Sequence, residues 1–418
     1  MLHARAASYA VVLTVILSIA VAQEEGPVSN WEVGTPIVTY WAGPAMTDAV
    51  ARQMAEGGFN VVWCGEQELD LVHRHGLRAQ LQDGLISLGS LEDPEARAKL
   101  DALIDRVKSH PALYSYYITD EPNASTFPQW AKLFAYLRER DPAHMAYLNL
   151  FPTYASNEQL GNTGDVVTAY TEHLRQYIDI VKPELVSYDH YHFTSGGGGG
   201  DGGQYFLNLA LVRKASMDAG LPFLNIVQAS SWSPSMRIPN ADEMRFLVFT
   251  TLAYGAQGIS YFVYCHPGIR GAIAYADGQP TGLYYVVQTL NPQFVRIATE
   301  LQPLQSLGVY HLGMVPQGGV EPPADCAFSV DPPIARMDYN PPEKMKGLVL
   351  SVFGSEGRPT HAMVVNLDYT QKATTTVVGP GELEVFNAKE GTWQASRHGC
   401  RARVLLRPGE GKLVRTVR

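Results

Sequence analysis

Residues 114–122 read YSYYITDEP, a run of aromatic and β-branched residues that stops abruptly at two carboxylates and a proline. The run suits a buried strand, and Pro122 ends it. Immediately afterwards, in 126–140, Trp130, Leu133, Phe134 and Leu137 recur at the spacing of one helix face. A buried strand that leads straight into a helix is half of a βαβ unit. The same alternation continues on both sides. Upstream, PIVTYWAG (36–43), FNVVWCGE (59–66) and LRAQLQD (77–83) read as strands. Downstream, HMAYLNLF (144–151), ELVSYDHYHF (184–193), FLNIVQASSW (223–232) and GISYFVYC (258–265) do the same. Between them, Leu100, Leu103, Ile104 and Val107 mark a helix that Asp93-Pro94 can start, and Asn240 can cap one carrying Met244, Leu247, Val248 and Thr251. Eight strands alternating with helices over about 275 residues predict a (β/α)8 (TIM) barrel, which typically takes ~250 residues. A doubly wound open sheet is the rival, weakened because no GxGxxG follows the first strand.

Outside this region the pattern changes. Residues 1–22 carry Arg5, an apolar run YAVVLTVILSIAVA and the small-x-small end Ala20-Val21-Ala22. That is the layout of a cleaved secretory signal peptide, shorter than the ~20 apolar residues of a membrane span. The expected location is therefore secreted or periplasmic, with no membrane association after cleavage. Residues 23–310 form the expected barrel. Residues 311–345 are rich in Pro and Gly and read as a connection. Residues 346–418 hold short β-type runs, among them GLVLSVFG (347–354), HAMVVNL (361–367) and ELEVFN (382–387), separated by turn residues. They predict a small antiparallel β-sandwich. The run Gly196–Gly200 reads as a flexible loop after the sixth strand, bordering the active face of a barrel.

The formal charge of −9 argues against a nucleic-acid surface. With 22 Tyr and 6 Trp, the chain suits neutral, hydroxyl-rich ligands better than anionic ones. Cys64, Cys265, Cys326 and Cys400 allow two disulfides in three pairings or four free thiols, and none has the CxxC spacing of a zinc site.

Catalytic groups on such barrels sit at the C-terminal ends of the strands. The fourth strand ends Asp120-Glu121-Pro122-Asn123. A carboxyl that is partly desolvated beside a second carboxylate is held protonated and suits a general acid, which here would be Glu121. The sixth strand ends Tyr188-Asp189-His190-Tyr191-His192 and supplies Asp189 as the favoured second carboxylate. Asp120 and Glu66 are the next candidates for the second carboxylate, and Asp83 ends the third strand; for Glu66 and Asp83 a structural role is at least as good a reading. Trp41, Trp63, Phe151, Tyr191, Trp232 and Tyr264 stand near strand ends, where flat rings could support sugar faces. Asn123, Gln228, His190 and His192 could bind hydroxyls. His190 and His192 share one strand face and could also hold a metal, but no third ligand is in register.

YYITDEPN on the fourth strand, YDHY on the sixth and TLAYGAQGISYFVY entering the eighth resemble glycoside hydrolases of the large (β/α)8 superfamily called clan A. The ending LLRPGEGKLVR is similar to the β-sandwich that often follows such barrels. The resemblance implies hydrolysis of a carbohydrate glycosidic bond without metal or cofactor, with Glu121 as acid/base. Two departures accompany it. Asp120 stands where that clan usually has Asn, and the seventh strand, IVQASSW, lacks the clan's nucleophilic Glu. The Asp-Glu pair is also similar to barrel hexosaminidases and chitinases, which use the substrate's own acetamide. Two other classes stay open: a non-catalytic carbohydrate-binding protein on a degenerate barrel, and a barrel lyase or metal-assisted hydrolase using the histidines near 190.

Overall fold

The computed structural model describes residues 36–195, 203–333 and 347–417. The expected signal peptide and the Gly196–Gly200 run lie outside the described residues. Eight parallel strands form one sheet: β1 (Ile37–Trp41), β2 (Val61–Cys64), β3 (Arg78–Leu81), β4 (Leu113–Asp120), β5 (Met145–Leu150), β6 (Val186–His190), β7 (Phe223–Gln228) and β8 (Gly258–Phe262). Their order is β1-β8-β7-β6-β5-β4-β3-β2, so the first and last neighbours must meet to close a barrel.

Asn60 makes that closure. Its N–H donates to Val38 O at 3.0 Å, its Oδ1 accepts from Val38 N at 2.8 Å, and its Nδ2 donates to Pro36 O at 2.8 Å. One turn higher, the Trp63 N–H donates to the Tyr40 hydroxyl at 3.2 Å. Side chains therefore satisfy strand edges that a ladder satisfies elsewhere.

One main helix follows each strand, beside the short helices Leu88–Glu92 and Asn157–Leu160: α1 (Asp48–Glu56), α2 (Leu69–Arg74), α3 (Pro94–Val107), α4 (Phe127–Arg140), α5 (Val166–Gln176), α6 (Tyr205–Ala219), α7 (Ala241–Ala253) and α8 (Gly282–Leu301). The sequence signals act as expected at two of them. Asp93 caps α3 through Glu95 N with Pro94 in the first turn, and Asn240 caps α7 in a reciprocal box with Glu243. Alternation along each strand splits the core in two. Ile37, Val61, Tyr114, Met145, Tyr147, Leu185, Leu224 and Ile226 fill the barrel interior, capped by Trp41, Tyr117 and Phe262. The opposite strand faces pack on the helices.

The strand Gln305–Leu312 (β9) already belongs to the second unit, since it pairs with Leu348–Ser355 (β11). The antiparallel unit thus begins inside the segment assigned from sequence to the barrel and its connection. Its β-pattern is masked there because a bulge between Ser306 and Gly308 breaks the alternation. Ser329–Asp331 (β10) and Thr392–Ala395 (β15) are also short strands that the sequence does not announce. The remaining strands of this unit are Arg358–Asn366 (β12), Ala373–Val378 (β13), Leu383–Asn387 (β14), Arg401–Leu406 (β16) and Gly411–Thr416 (β17). They form a six-stranded sheet, β9-β11-β12-β17-β14-β15, and a three-stranded sheet, β10-β13-β16.

The six-stranded sheet is buried on both faces. Leu348, Leu350, Val352, Val364 and Val414 meet the small sheet. Val349, Phe353, Met363, Val365 and Leu413 join the core of the barrel helices. This double burial explains the nearly continuous apolar run LVLSVFG in β11. All four cysteines are free thiols, Cys64 and Cys265 being buried.

Replacing Asn60 by Ala leaves Val38 N–H and Pro36 O without partners at the seam. The expected cost is about 1–3 kcal/mol, read as a lower urea midpoint at unchanged slope. An unchanged midpoint would mean that Asn60 does not hold the seam.

Candidate active site

The register of β4 decides which of its terminal side chains enter the barrel. Tyr117 pairs with Tyr147 on β5, but the next pairs are Thr119 with Leu148 and Asp120 with Asn149. Ile118 is therefore an extra residue, and its side chain is buried in the outer core. Without this bulge Thr119 would face Asn149 and Asp120 would turn outward, because strand faces alternate. With it, Tyr117 and Asp120 both face the mouth. The chain then turns at Glu121, which takes a left-handed φ of 44°. That conformation costs a non-glycine residue about 1–2 kcal/mol. A hydrogen bond from Glu121 N–H to Asn149 O at 2.9 Å holds it.

Asn149 and Asp189 come from the inward faces of β5 and β6 and are both buried. Asn149 Nδ2 donates to Asp120 Oδ1 and to Asp189 Oδ1, each at 3.1 Å. Glu121 and Asp189 are hydrogen-bonded to one another, and the Tyr191 hydroxyl donates to Asp189. Burial first, then the charges of Asp189 and Asp120, push the Glu121 carboxyl well above the ordinary carboxylate range. Asp189 is raised by burial and by Asp120, but hydrogen bonds from Glu121, Asn149 and Tyr191 offset part of this. Asp120 is raised by burial and pulled back by Asn149. Of the buried pair, Glu121 is therefore the one held more firmly in its protonated form.

Two aromatic groups flank the carboxyls. Trp41, Trp63 and Tyr117 form one, with Trp41–Trp63 centroids 4.8 Å apart and Trp63–Tyr117 5.0 Å apart. Tyr191, Trp232 and Phe262 form the other, at 4.4 Å for Tyr191–Trp232 and 5.0 Å for Trp232–Phe262. Trp232 leaves 37% of its surface exposed. Tyr154, after β5, is half exposed, with its hydroxyl turned in to accept from Tyr191 N–H.

Of the residues singled out from sequence, Asp120, Glu121, Asp189, Trp41, Trp63, Tyr191 and Trp232 therefore gather at the mouth. The others do not. Glu66 sits on a turn after β2 and forms a two-pronged ion pair with Arg106 of α3, at 2.5 and 2.9 Å, which holds its carboxyl low. Asn123 caps the turn 124–126 through Ser125 N and donates to Glu158 O at 2.7 Å. His190 and His192 alternate with Asp189 and Tyr191, so they face outward. His190 Nδ1 meets Asn208 Oδ1 of α6 at 2.9 Å, and burial pushes its pKa down to about 3. His192 packs between Tyr205 and Phe246. Tyr264 is fully buried against Tyr40 and Phe59, its hydroxyl accepting from Gln53 Nε2 at 2.7 Å.

Gln228 ends β7 but is fully buried and spent on backbone. Its Oε1 accepts from Phe193 N at 2.8 Å, and its Nε2 donates to Phe193 O at 3.0 Å and Arg237 O at 2.8 Å. It ties the loops after β6 and β7 together. Sequence reasoning missed Tyr117, Asn149, Tyr154 and Phe262. Asn149 was visible as the polar residue in the apolar run YLNLF, on the same strand face as Tyr147. Among the described residues no group of three or more His, Cys, Asp or Glu is arranged to hold a metal ion.

No protein-family model and no characterised protein sequence matches the chain. Solved glycoside hydrolase structures align with the chain at low similarity. A candidate alpha-galactosidase/melibiase from Bacteroides fragilis is 10% identical, with 93% of this chain and 80% of that chain covered at a TM-score of 0.48. A GH30 endoxylanase from Clostridium papyrosolvens is 10% identical, covering 94% and 99% at 0.44. The GH99 endo-alpha-mannosidase of Bacteroides thetaiotaomicron is 14% identical, covering 60% and 80% at 0.41. Likeness at this level carries no argument about this chain, whose fold rests on its own strand pairing and whose chemistry has to come from the mouth.

Gln228→Glu would place a carboxylate against the carbonyls of Phe193 and Arg237. An unpaired buried charge there is expected to cost about 3–5 kcal/mol, without creating a nucleophile. Denaturation midpoint and turnover together check this. A stable, more active variant would show that Gln228 reaches the mouth.

Proposed function

We propose that this protein hydrolyses glycosidic bonds of an oligo- or polysaccharide, with Glu121 as the general acid. The observation that carries this is the Glu121–Asp189 hydrogen bond, set in the barrel mouth between two aromatic walls. Glu121 gives its proton to the leaving glycosidic oxygen as the bond to the anomeric carbon breaks. Water supplies the hydroxyl that ends on that carbon, and its remaining proton restores the carboxyl pair.

Direct contact is closer than the ~5–5.5 Å or ~6.5–9.5 Å between carboxyls that flank a sugar from two sides. Asp189 therefore acts on Glu121, holding its proton in place, rather than attacking from the opposite face. The rings of Trp41, Trp63, Trp232 and Tyr191 suit the flat faces of sugars, as neutral ligands require. Residues 1–22 fit export, which would bring the enzyme to extracellular or periplasmic glycans. The outward orientation of His190 and His192 favours this reading over a metal-assisted one that would need them.

Reducing-end release from a broad glycan panel, with Glu121→Gln beside wild type, tests the proposal. The expected result is turnover by wild type that falls roughly 10²–10⁴-fold in the variant, with glycan binding retained. Binding with no turnover by either protein would favour a carbohydrate-binding role, and turnover unaffected by the substitution would remove Glu121 from the centre.

The pH profile gives a second check. Asp189 must be ionised, so kcat/KM rises with pH as it loses its proton. Glu121 must be protonated, so kcat/KM falls again as pH climbs through its raised pKa. The descending limb is expected above neutrality. A descending limb at the ordinary glutamate value of about 4.3 would sink the assignment.

A further inference from the structure

Beneath the carboxyls runs a buried column of hydrogen bonds. Ser187 Oγ donates to Asn149 Oδ1 at 3.0 Å, and the Tyr147 hydroxyl meets Ser187 Oγ at 2.8 Å. All three residues are buried within the barrel. Because Ser187 spends its proton on Asn149, its oxygen is left to accept from Tyr147. The Asn149 carbonyl is therefore fixed downward and its NH2 upward, towards Asp120 and Asp189.

An NH2 group only donates, so it favours the ionised, accepting form of each carboxyl whose oxygen it meets. Both of its N–H bonds end on aspartates, and neither ends on Glu121. We propose that Asn149, oriented by Ser187 and Tyr147, is a positioning residue that directs the single proton of this carboxyl cluster to Glu121. This rests on Glu121 being the acid, and adds to that reading the group that makes it so. Asn149 contacts neither water nor sugar in this role. It acts through Asp120 and Asp189, whose ionised forms it favours.

The other titratable groups facing the cluster are tyrosines. Tyr117 comes from β4, Tyr147 from β5, Tyr154 from the segment after β5 and Tyr191 from just beyond β6, while Tyr170 of α5 and Tyr188 of β6 act from the outer core behind Asp189. Burial raises each of them, so they stay neutral through the working range. The distribution of the proton is left to the three carboxyls and the amide between them.

The test uses the full chain with Asn149→Ala and, separately, Ser187→Ala, which frees the amide to turn over. Carbon NMR of labelled glutamate carboxyls, with the Glu121 signal assigned by its loss in Glu121→Gln, reads the proton without substrate. At neutral pH the Glu121 signal is expected in its protonated position in wild type and shifted towards the ionised position in Asn149→Ala. On a responsive glycan, Asp189 without its donor keeps its proton to higher pH. The ascending limb of kcat/KM should move up by about one pH unit, and kcat should fall at least roughly tenfold with little change in KM. Ser187→Ala should move the same way by less, and decides the matter if the alanine at 149 does not fold.

A folded Asn149→Ala protein with an unmoved Glu121 signal overturns the proposal. So does a loss of activity equal at every pH, the mark of a merely structural role. If wild type cleaves no glycan, the hydrolase reading fails, and the NMR shift alone upholds or overturns the role of Asn149.

Discussion

One extra residue in β4 sets up the mouth. Ile118 has no partner on β5, and its side chain drops into the shell between strands and helices. The cost is a break in a parallel ladder, where hydrogen bonds are otherwise evenly spaced. The consequence is a change of face: Tyr117 and Asp120 both point inward, three positions apart, where an unbroken strand would point one of them out. The aromatic wall of Trp41, Trp63 and Tyr117 and the carboxyl cluster both depend on that change. The ladder resumes with Asp120 opposite Asn149, and this pairing lets one amide reach carboxylates on two different strands.

The cluster works because its surroundings are apolar and its donors are few. Three carboxyls share a small volume, and hydrogen bonds from Glu121, Asn149 and Tyr191 offset part of the burial of Asp189. Like charges at such range cannot all ionise together, and in a low-dielectric site their repulsion is poorly screened. Glu121 makes no bond to the amide, has part of its surface open, and is raised furthest by burial and by the charges of Asp189 and Asp120. Its left-handed backbone contributes by turning the carboxyl back over Asp189 instead of letting it follow the strand outwards. Strain at one residue is thereby exchanged for the position of a reactive group.

The repeat of buried runs and helical faces made the barrel legible, because both periods are written directly in residue type. Asp189 and Tyr191 were legible too, as alternate residues on one strand face. The same alternation removes His190 and His192, which read as attractive polar residues until their side of the strand is known. Gln228 and Glu66 misled for a different reason. Each stands where a catalytic group could stand, and each is consumed by a partner distant in sequence: Phe193 and Arg237 for the amide, Arg106 for the carboxylate. The bulge at Ile118 was not legible, since nothing in ITDEP distinguishes a residue paired in a ladder from one squeezed out of it. The strand at 305–312 was obscured in the same way by its own bulge.

The second unit bears on the mouth through packing. Its large sheet has two apolar faces, and one of them shares a core with the helices behind β6 and β7. Arg213 of α6 donates to the Ser306 hydroxyl and carbonyl at 2.9 and 2.6 Å, and Arg245 of α7 donates to Pro408 O at 2.7 Å. Gly409 lies so close to α7 that a Cβ there would stand 2.5 Å from Asp242 O. The wall carrying Asp189, Tyr191 and Trp232 is therefore backed by helices and a sheet. The opposite wall, with Trp41 and Trp63, rests on a seam held by Asn60 and the Tyr40 hydroxyl instead of a continuous ladder. Local stability follows the density of such contacts. Asp189 and Trp232 thus stand on the more densely backed wall, and Trp41 and Trp63 on the one whose seam is closed by side chains.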